Sequence, residues 1–248
     1  MFEFSITAAS RVGCIRENNE DMLLVDNQFV RDDELKTQVS LDKTDRALFA
    51  LADGMGGHNC GEVASSDVLH NLQFYYNDIP SGLDVSKFNE LIYEWLVSMN
   101  NIIEAKGRTE PQFKNMGTTL VGLAYYEGDF YWMNCGDSRL YRLRKGELKQ
   151  MTVDHSLNNM MGSNVHSNVI TNCIGGGCTT SFIDIVKCTS EIEPGDLFLL
   201  CSDGLTDMLS DADVERLLCE GKNASDLCVA AEKAGGFDNV SAIVLKLK

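Results

Sequence analysis

Basic residues are scarce in this 248-residue chain, with 21 Lys and Arg against 37 Asp and Glu and a formal net charge of −16. The Lys and Arg clusters that displace counterions from phosphates are missing, which excludes nucleic acid as a partner. Long apolar runs are missing too. None approaches the roughly 20 residues a bilayer-spanning helix needs, and Met1-Phe2-Glu3-Phe4-Ser5-Ile6 has neither the basic nor the apolar region of a signal peptide. A cytoplasmic protein with no membrane partner is expected. No two of the nine cysteines have Cys-x-x-Cys spacing, and most lie in apolar stretches such as Leu199-Leu200-Cys201. Reduced, buried thiols are expected rather than disulfides or zinc. No cysteine is followed six residues later by arginine, so a reactive Cys-x5-Arg loop is excluded. No Gly-x-Ser-x-Gly elbow is present, and the chain offers no obvious protein nucleophile. His58, His70, His155 and His166 form no His-x-x-x-His pair.

What is present reads as an ordinary globular composition, 44% hydrophobic and 23% charged. Without linker, repeat or low-complexity segment, residues 1–248 read as one domain. Apolar or alternating runs predict strands at Phe2–Ala8, Met22–Val25, Ala47–Ala52, Thr119–Tyr126, Phe130–Asn134, Leu140–Leu143, Leu197–Cys201 and Val240–Leu247. The turns Glu127-Gly128-Asp129 and Arg144-Lys145-Gly146-Glu147 point to antiparallel hairpins. Helical spacing marks Gly61–Tyr76, and also Lys87–Lys106 with Phe88, Leu91, Ile92, Trp95, Met99, Ile102 and Ile103 as its stripe and Gly107 as a stop. Ser210-x-x-Asp213 reads as a capping box before a third helix ended by Gly221. Ala224, Leu227, Cys228 and Ala231 mark a fourth, ended by Gly235-Gly236. Arg31–Asp45 reads as a polar surface excursion and Leu157–Gly177 as a mobile loop. The pattern predicts two packed sheets with helices on their outer faces.

The acids are placed relative to the strands in an informative way. Asp53, Asp137 and Asp203 follow predicted strands, while Glu20, Asp21 and Asp238 precede them. In an antiparallel sheet such ends are neighbours, so six acids are expected to converge on one rim. Asp and Gly are good turn formers, which explains any one Asp-Gly site. Together the six need a counter-charge, because like charges ~4 Å apart repel by about 1 kcal/mol even in water. Hard cations with oxygen ligands, Mg²⁺ or Mn²⁺, suit them.

Seven blocks occur in order: Gly13-x-x-Arg16-x-x-Asn19-Glu20-Asp21, Ala52-Asp53-Gly54-Met55-Gly56-Gly57-His58, Met116-Gly117-Thr118-Thr119, Asn134-Cys135-Gly136-Asp137-Ser138-Arg139, Asp154-His155-Ser156, Ser202-Asp203-Gly204-Leu205 and Asp238-Asn239-Val240. Together they resemble the metal-dependent protein phosphatase family of the 2C type. The Ala-Asp-Gly-Met-Gly-Gly-His form is similar to its bacterial branch. The resemblance implies an α+β fold, an antiparallel β-sandwich flanked by helices in four αββα layers, with a two-metal site at one rim. It implies hydrolysis of phosphoserine and phosphothreonine by direct attack of a metal-bridging hydroxide. By matching positions, Asp53 would bridge both metals, Asp203 and Asp238 would complete the first site, and Glu20 with the Gly54 carbonyl would serve the second. Asp137 would help Asp203 hold a third, weaker metal, Asp21 would accept hydrogen bonds from metal-bound waters, and Arg16 would clamp the phosphate.

Ser138, Ser202, Thr118 and Thr119 read as supports for the carboxylates, and Arg139 as a structural ion-pair partner. Two departures stand out. Met55 occupies the position of a histidine that many eukaryotic members use as general acid, and His58 matches a different position. The segment between His155 and Asn168, the flap of the family, is shorter than usual in the bacterial branch. The expected partners are phosphorylated proteins, targets of a serine/threonine kinase, met by a monomer. A phosphatase of small phosphate esters and a catalytically dead phosphoprotein-binding scaffold are the alternatives.

Overall fold

The computed structural model describes residues 1–56, 60–161 and 169–248. In chain order the elements are β1 (Phe2–Arg11), β2 (Asp21–Val25), β3 (Gln28–Val30), β4 (Glu34–Leu41), β5 (Arg46–Met55), α1 (Gly61–Asp78) and α2 (Val85–Thr109). There follow β6 (Gly117–Thr118), β7 (Leu120–Tyr126), β8 (Asp129–Cys135), β9 (Arg139–Arg144), β10 (Glu147–Gln150), α3 (Leu157–Met161), β11 (Ile174–Gly175) and β12 (Asp184–Lys187). The chain closes with β13 (Leu197–Cys201), α4 (Asp203–Thr206), α5 (Asp211–Cys219), α6 (Ala224–Ala234) and β14 (Val240–Leu247).

Alternation at the two ends of the chain lets them pair: β1 runs antiparallel to β14, with Phe4 opposite Leu247 and Arg11 opposite Val240. These two are neighbours within a sheet ordered β10-β9-β13-β14-β1-β4. The second sheet runs β11-β6-β5-β7-β8-β12, with β2 pairing β5 and carrying β3. Phe4, Ile6, Phe49, Leu51, Leu123, Phe130, Phe198 and Ile243 fill the space between the sheets. Val68, Leu72, Phe88, Ile92, Trp95 and Met99 bury α1 and α2 on the second sheet. Val214, Leu218, Leu227 and Ala231 bury α5 and α6 on the first. The four layers match the expectation.

Both predicted hairpins form. Glu127 and Gly128 have φ of 46° and 100°, Lys145 and Gly146 of 51° and 85°, the paired positive values that a two-residue type I′ turn requires. Ser210 accepts from the Asp213 N–H as expected, and Asn223 with Asp226 forms a second capping box.

Four expectations are corrected. Arg31–Asp45 is no loop, since Glu34–Leu41 is an edge strand on β1. Its Leu35 and Val39 pack on the central layer while Glu34, Lys36, Gln38 and Ser40 alternate outward, and charges of that kind are how edge strands resist pairing with other chains. Gly107 lies inside α2, which continues to Thr109 before Pro111. A Cβ there would sit 2.9 Å from the Phe113 carbonyl oxygen, so the glycine admits a close turn rather than a stop. Ile102, counted in the apolar stripe, is half exposed. Part of Leu157–Gly177 is regular structure, as α3 and as β11 on the edge of β6; residues 162–168 lie outside the described residues.

Phe88 is fully buried, with its ring stacked on Tyr131 at 4.3 Å between centroids. Phe88→Ala is expected to cost about 3–5 kcal/mol. At ~2–4 °C per kcal/mol for a domain of this size, that lowers Tm by roughly 6–20 °C in a circular dichroism melt.

Candidate active site

The pairing of β2 with β5 sets Asp21 directly opposite Asp53. Like charges facing each other across an antiparallel pair are destabilising. Asp53 therefore lies within β5 rather than beyond its end, which corrects the boundary expected from sequence. Asp203 follows β13, Asp238 precedes β14, and Asp137 lies in the link from β8 to β9. Both sheets thus deliver carboxylates to the same rim. Asp53 feels the charges of Asp21, Asp203, Asp137 and Asp238 together, and Glu20 feels Asp238 and Arg16.

Burial governs the electrostatics. It pushes the Asp21 carboxyl up to about 7, opposed by hydrogen bonds from the Ser241 and Ser202 hydroxyls. Burial followed by repulsion from Asp203 and Asp154 takes Asp137 to about 7. Asp203 rises to about 6, from burial and then Asp238 and Asp207, with a hydrogen bond to Asp53 opposing. Asp53 is held well above the carboxylate range by burial and its four acidic neighbours, and Glu20 is raised by burial. The Asp53–Asp203 hydrogen bond requires a proton on one of the two carboxyls.

Two further observations bear on a cation. Oδ1 of Asp21 and Oδ1 of Asp137 are buried without a hydrogen-bond partner, a costly state for acceptors. A Cβ on Gly61 would fall 2.7 Å from the Glu20 carboxyl carbon and 2.8 Å from the Gly54 carbonyl oxygen. Both oxygen donors therefore converge on space that only glycine leaves open. Among the described residues no three acids stand in ready-made ligand geometry; Asp53 is bonded to Asp203 and Asp238 to Arg16 instead. An all-oxygen, mostly carboxylate donor set with unsatisfied acceptors nonetheless fits Mg²⁺ or Mn²⁺.

The supports are more indirect than their sequence suggests. Ser202 Oγ donates to Asp21 Oδ2 at 2.9 Å. Thr118 Oγ1, however, donates to the Asp53 carbonyl at 2.8 Å, and Thr119 Oγ1 accepts from the Asp53 N–H while bonding Ser138. These hydroxyls hold the backbone of Asp53, not its carboxylate. Arg139 forks onto both oxygens of Asp154 at 2.7–3.0 Å, the structural ion pair expected. With Asp137, Asp203, Asp207, Thr206, Ser156 and Asn158 these two residues line a cavity of about 60 Å³.

Several participants had no role assigned from sequence, although His155 and Asn239 stand in the seven blocks. His155 accepts from the Gly136 N–H through Nδ1, so its Nε2 carries the proton facing Asp184, and its own N–H donates to the Gly136 carbonyl. Both backbone groups beside Asp137 are thus held by one residue. Asn239 accepts from the Glu20 N–H and donates to the Val12 and Asn18 carbonyls, fixing the loop that carries Arg16. That loop crosses the 236–239 turn where a Cβ on Gly13 would meet the Asp238 carbonyl oxygen at 2.1 Å. Arg31 donates to the Asp21 and Glu62 carbonyls, tying β2 to α1. Arg16 bonds Asp238 Oδ2 at 2.7 Å with half its side chain exposed. His58 and His166 fall outside the described residues.

A family model for protein phosphatase 2C matches residues 25–230. The chain belongs to the protein phosphatase 2C family. The serine/threonine protein phosphatase PstP of Mycobacterium tuberculosis is 32% identical over 247 residues, covering 96% of this chain and 44% of PstP. This chain therefore spans less than half of that relative. Protein phosphatase PhpP of Streptococcus pneumoniae is 30% identical, with 98% of this chain and 97% of PhpP covered. Among solved structures, a serine/threonine phosphatase of S. agalactiae superposes with a TM-score of 0.82 at 28% identity, over 98% of each chain. The PstP catalytic domain, described with two manganese ions, gives 0.75 at 30% identity over 100% of this chain and 99% of that one. The 2C-type sandwich is thus shared along the whole chain.

The carboxyl shifts carry a pH signature. Folded, Asp21 and Asp137 keep their protons to about pH 7 and Asp203 to about 6, whereas unfolded carboxyls release them near ~4. Between those limits the folded state binds more protons, so stability present at low pH is lost as pH rises through 6–7. In chelator, Tm is expected to fall from about pH 5 to about pH 8, and Asp21→Asn should flatten the slope. A flat wild-type profile would contradict this account.

Proposed function

We propose that the chain is a Mg²⁺/Mn²⁺-dependent serine/threonine protein phosphatase, acting as one domain over residues 1–248 on phosphorylated proteins. The observation that carries this reading is the convergence of Glu20, Asp21, Asp53, Asp137, Asp203 and Asp238 on one rim, with buried acceptors of Asp21 and Asp137 left unsatisfied. In this reading Asp53, Asp203 and Asp238 would hold one cation, and Asp53 would serve a second together with Glu20 and the Gly54 carbonyl. The space beside Gly61 supports that last pairing. Asp137 and Asp203 would share a third, weaker cation. Bound together, such cations would lower the pKa of a water at the site and would offset negative charge on the phosphoryl oxygens.

The chain's own side chains do the rest. Arg16, at the rim and half exposed, matches two phosphate oxygens with its guanidinium fork and orients the substrate. Asp21, buried behind the rim and held by Ser202, accepts hydrogen bonds from solvent at the cations and fixes its direction. Met55 carries no proton to donate, so the leaving alkoxide takes one from solvent rather than from this position. The presence of Glu20, Asp53, Asp203 and Asp238 together argues against a dead scaffold. Among the described residues no helix is long and apolar enough to cross a membrane. A cytoplasmic monomer opposing a serine/threonine kinase, with neither nucleic acid nor membrane as partner, completes the proposal.

Chelation is expected to abolish phosphate release from a phosphothreonine peptide, and Mn²⁺ or Mg²⁺ to restore it. Cation at 100 times its Kd should add ~2.7 kcal/mol, raising Tm by roughly 5–10 °C. Full activity in excess EDTA would end this reading. Much faster turnover of p-nitrophenyl phosphate than of phosphopeptides at matched concentrations would favour a phosphatase of small esters.

Substitutions separate ligand from clamp. Asp53→Ala should lower kcat by more than ~100-fold, since even outer partners of metal ligands are worth ~10–100-fold. Arg16→Ala removes charge-assisted hydrogen bonds worth ~1.5–3 kcal/mol, and should raise KM about 10- to 100-fold with turnover still measurable at saturation. Steady-state kinetics on both variants decide the assignment.

A further inference from the structure

Cys173 and Cys178 bracket the run Ile174-Gly175-Gly176-Gly177, and their Sγ atoms lie 3.3 Å apart. Backbone conformation makes this contact. Gly175, Gly176 and Gly177 have φ of 76°, 64° and 81°, three successive left-handed residues that turn the chain back on itself. The reversal is tied down on several sides. Cys178 N–H donates to the Gly175 carbonyl at 3.0 Å. Asn100 of α2 accepts from the Gly175 N–H at 2.7 Å and donates to the Cys178 carbonyl at 3.1 Å. Gly177 N–H donates to Glu104 Oε1 at 2.9 Å. A Cβ on Gly176 would come within 2.8 Å of Cys173 Sγ, so the loop closes tightly over that thiol.

The two thiols differ in access. Cys173 is buried, and burial pushes its thiol well above the ordinary range, while Cys178 is half-buried. We propose that Cys173 and Cys178 are a redox modification site that closes to a reversible disulfide under a peroxide and restrains the β11 edge of the active site. Cys178 sulfur attacks one oxygen of hydrogen peroxide. An S–O bond forms, the O–O bond breaks, and the departing hydroxide leaves as water with the Cys178 thiol proton. Cys173 sulfur then attacks Cys178 sulfur. The S–S bond forms, the S–O bond breaks, and the second hydroxide leaves as water with the Cys173 proton. Two sulfurs together lose two electrons, and the peroxide is reduced to two waters.

Closing the bond draws the sulfurs from 3.3 Å to about 2.05 Å. Cys173 Sγ then gives up its 3.3 Å contact with the Gly175 carbonyl. Ile174–Gly175 pairs with Gly117–Thr118, which pairs in turn with Gly54–Met55. Thr118 also holds the Asp53 carbonyl. Strain in the loop therefore reaches the backbone of Asp53 through two strand pairings. The effect on turnover rests on the phosphatase reading; the disulfide itself does not.

The test oxidises the full chain with hydrogen peroxide, removes the peroxide, then splits the sample between alkylation with tryptic mass spectrometry and an Mn²⁺-dependent p-nitrophenyl phosphate assay. Gln150–Lys187 is one tryptic peptide with these two cysteines and no other. It is expected to be lighter by two hydrogens and closed to alkylation, at doses that leave the exposed Cys14 and Cys219 alkylated. Dithiothreitol should reverse the change, and Cys178→Ser should abolish it. Turnover should fall roughly 3- to 10-fold on oxidation and recover on reduction, with Cys178→Ser insensitive. Alkylation of both thiols at those doses, or sulfur oxides without an S–S bond, would overturn the site. A disulfide with unchanged turnover would overturn the restraint. A reduced chain that never turns over would count against the phosphatase reading, and the mass shift would still decide the site.

Discussion

Mutual repulsion of buried carboxylates is the constraint around which the rest of this structure is arranged. Asp21 and Asp53 face each other across one strand pair, and three further aspartates press on them from the other sheet and the link. A rim of this kind opposes folding, because each acid loses hydration and gains like-charged neighbours. Stability has to come from elsewhere. Three apolar layers supply it, through burial that is non-directional and indifferent to the charges at one end. Direction at the rim comes from polar contacts to backbone: Thr118 and Thr119 on Asp53, His155 on Gly136, Asn239 on the Arg16 loop. These fix where each carboxylate emanates from, and they leave Oδ1 of Asp21 and Oδ1 of Asp137 without a partner. A site meant to take a cation needs that division.

Much of this was legible in the residues, and the reasons for the rest are physical. Strands with one buried face announced themselves by alternation, and β1, β7, β8, β13 and β14 lie close to where pattern placed them. The acids were legible because six of them fall at predicted strand ends and seven ordered blocks carry them. β4 was not, because the outer half of this edge strand is polar and reads as a surface excursion. Gly107 misled because glycine ends helices more often than it admits a neighbouring carbonyl. Gly61 was read only as a helix start, though its missing side chain is what lets Glu20 and Gly54 approach. Contacts that join separate segments, such as Arg31 to Asp21 and Glu62, leave no local pattern at all.

The pair of Arg16 and Asp238 links the two halves of the proposed mechanism. Asp238 belongs to the rim and Arg16 to the loop that Asn239 holds against it. Their contact is short, 2.7 Å, yet the two side chains are 51% and 38% exposed. An exposed ion pair is worth only ~0–1 kcal/mol, so water and salt screen most of its attraction. A cation on Asp238 and a phosphate on Arg16 would each offer a stronger, better-directed partner than they offer one another. The pairing therefore parks both groups within reach of their functions at little energetic cost. In the proposed mechanism phosphate affinity and cation affinity would be coupled through one weak bond, since either ligand that released the pair would leave the other partner free to bind.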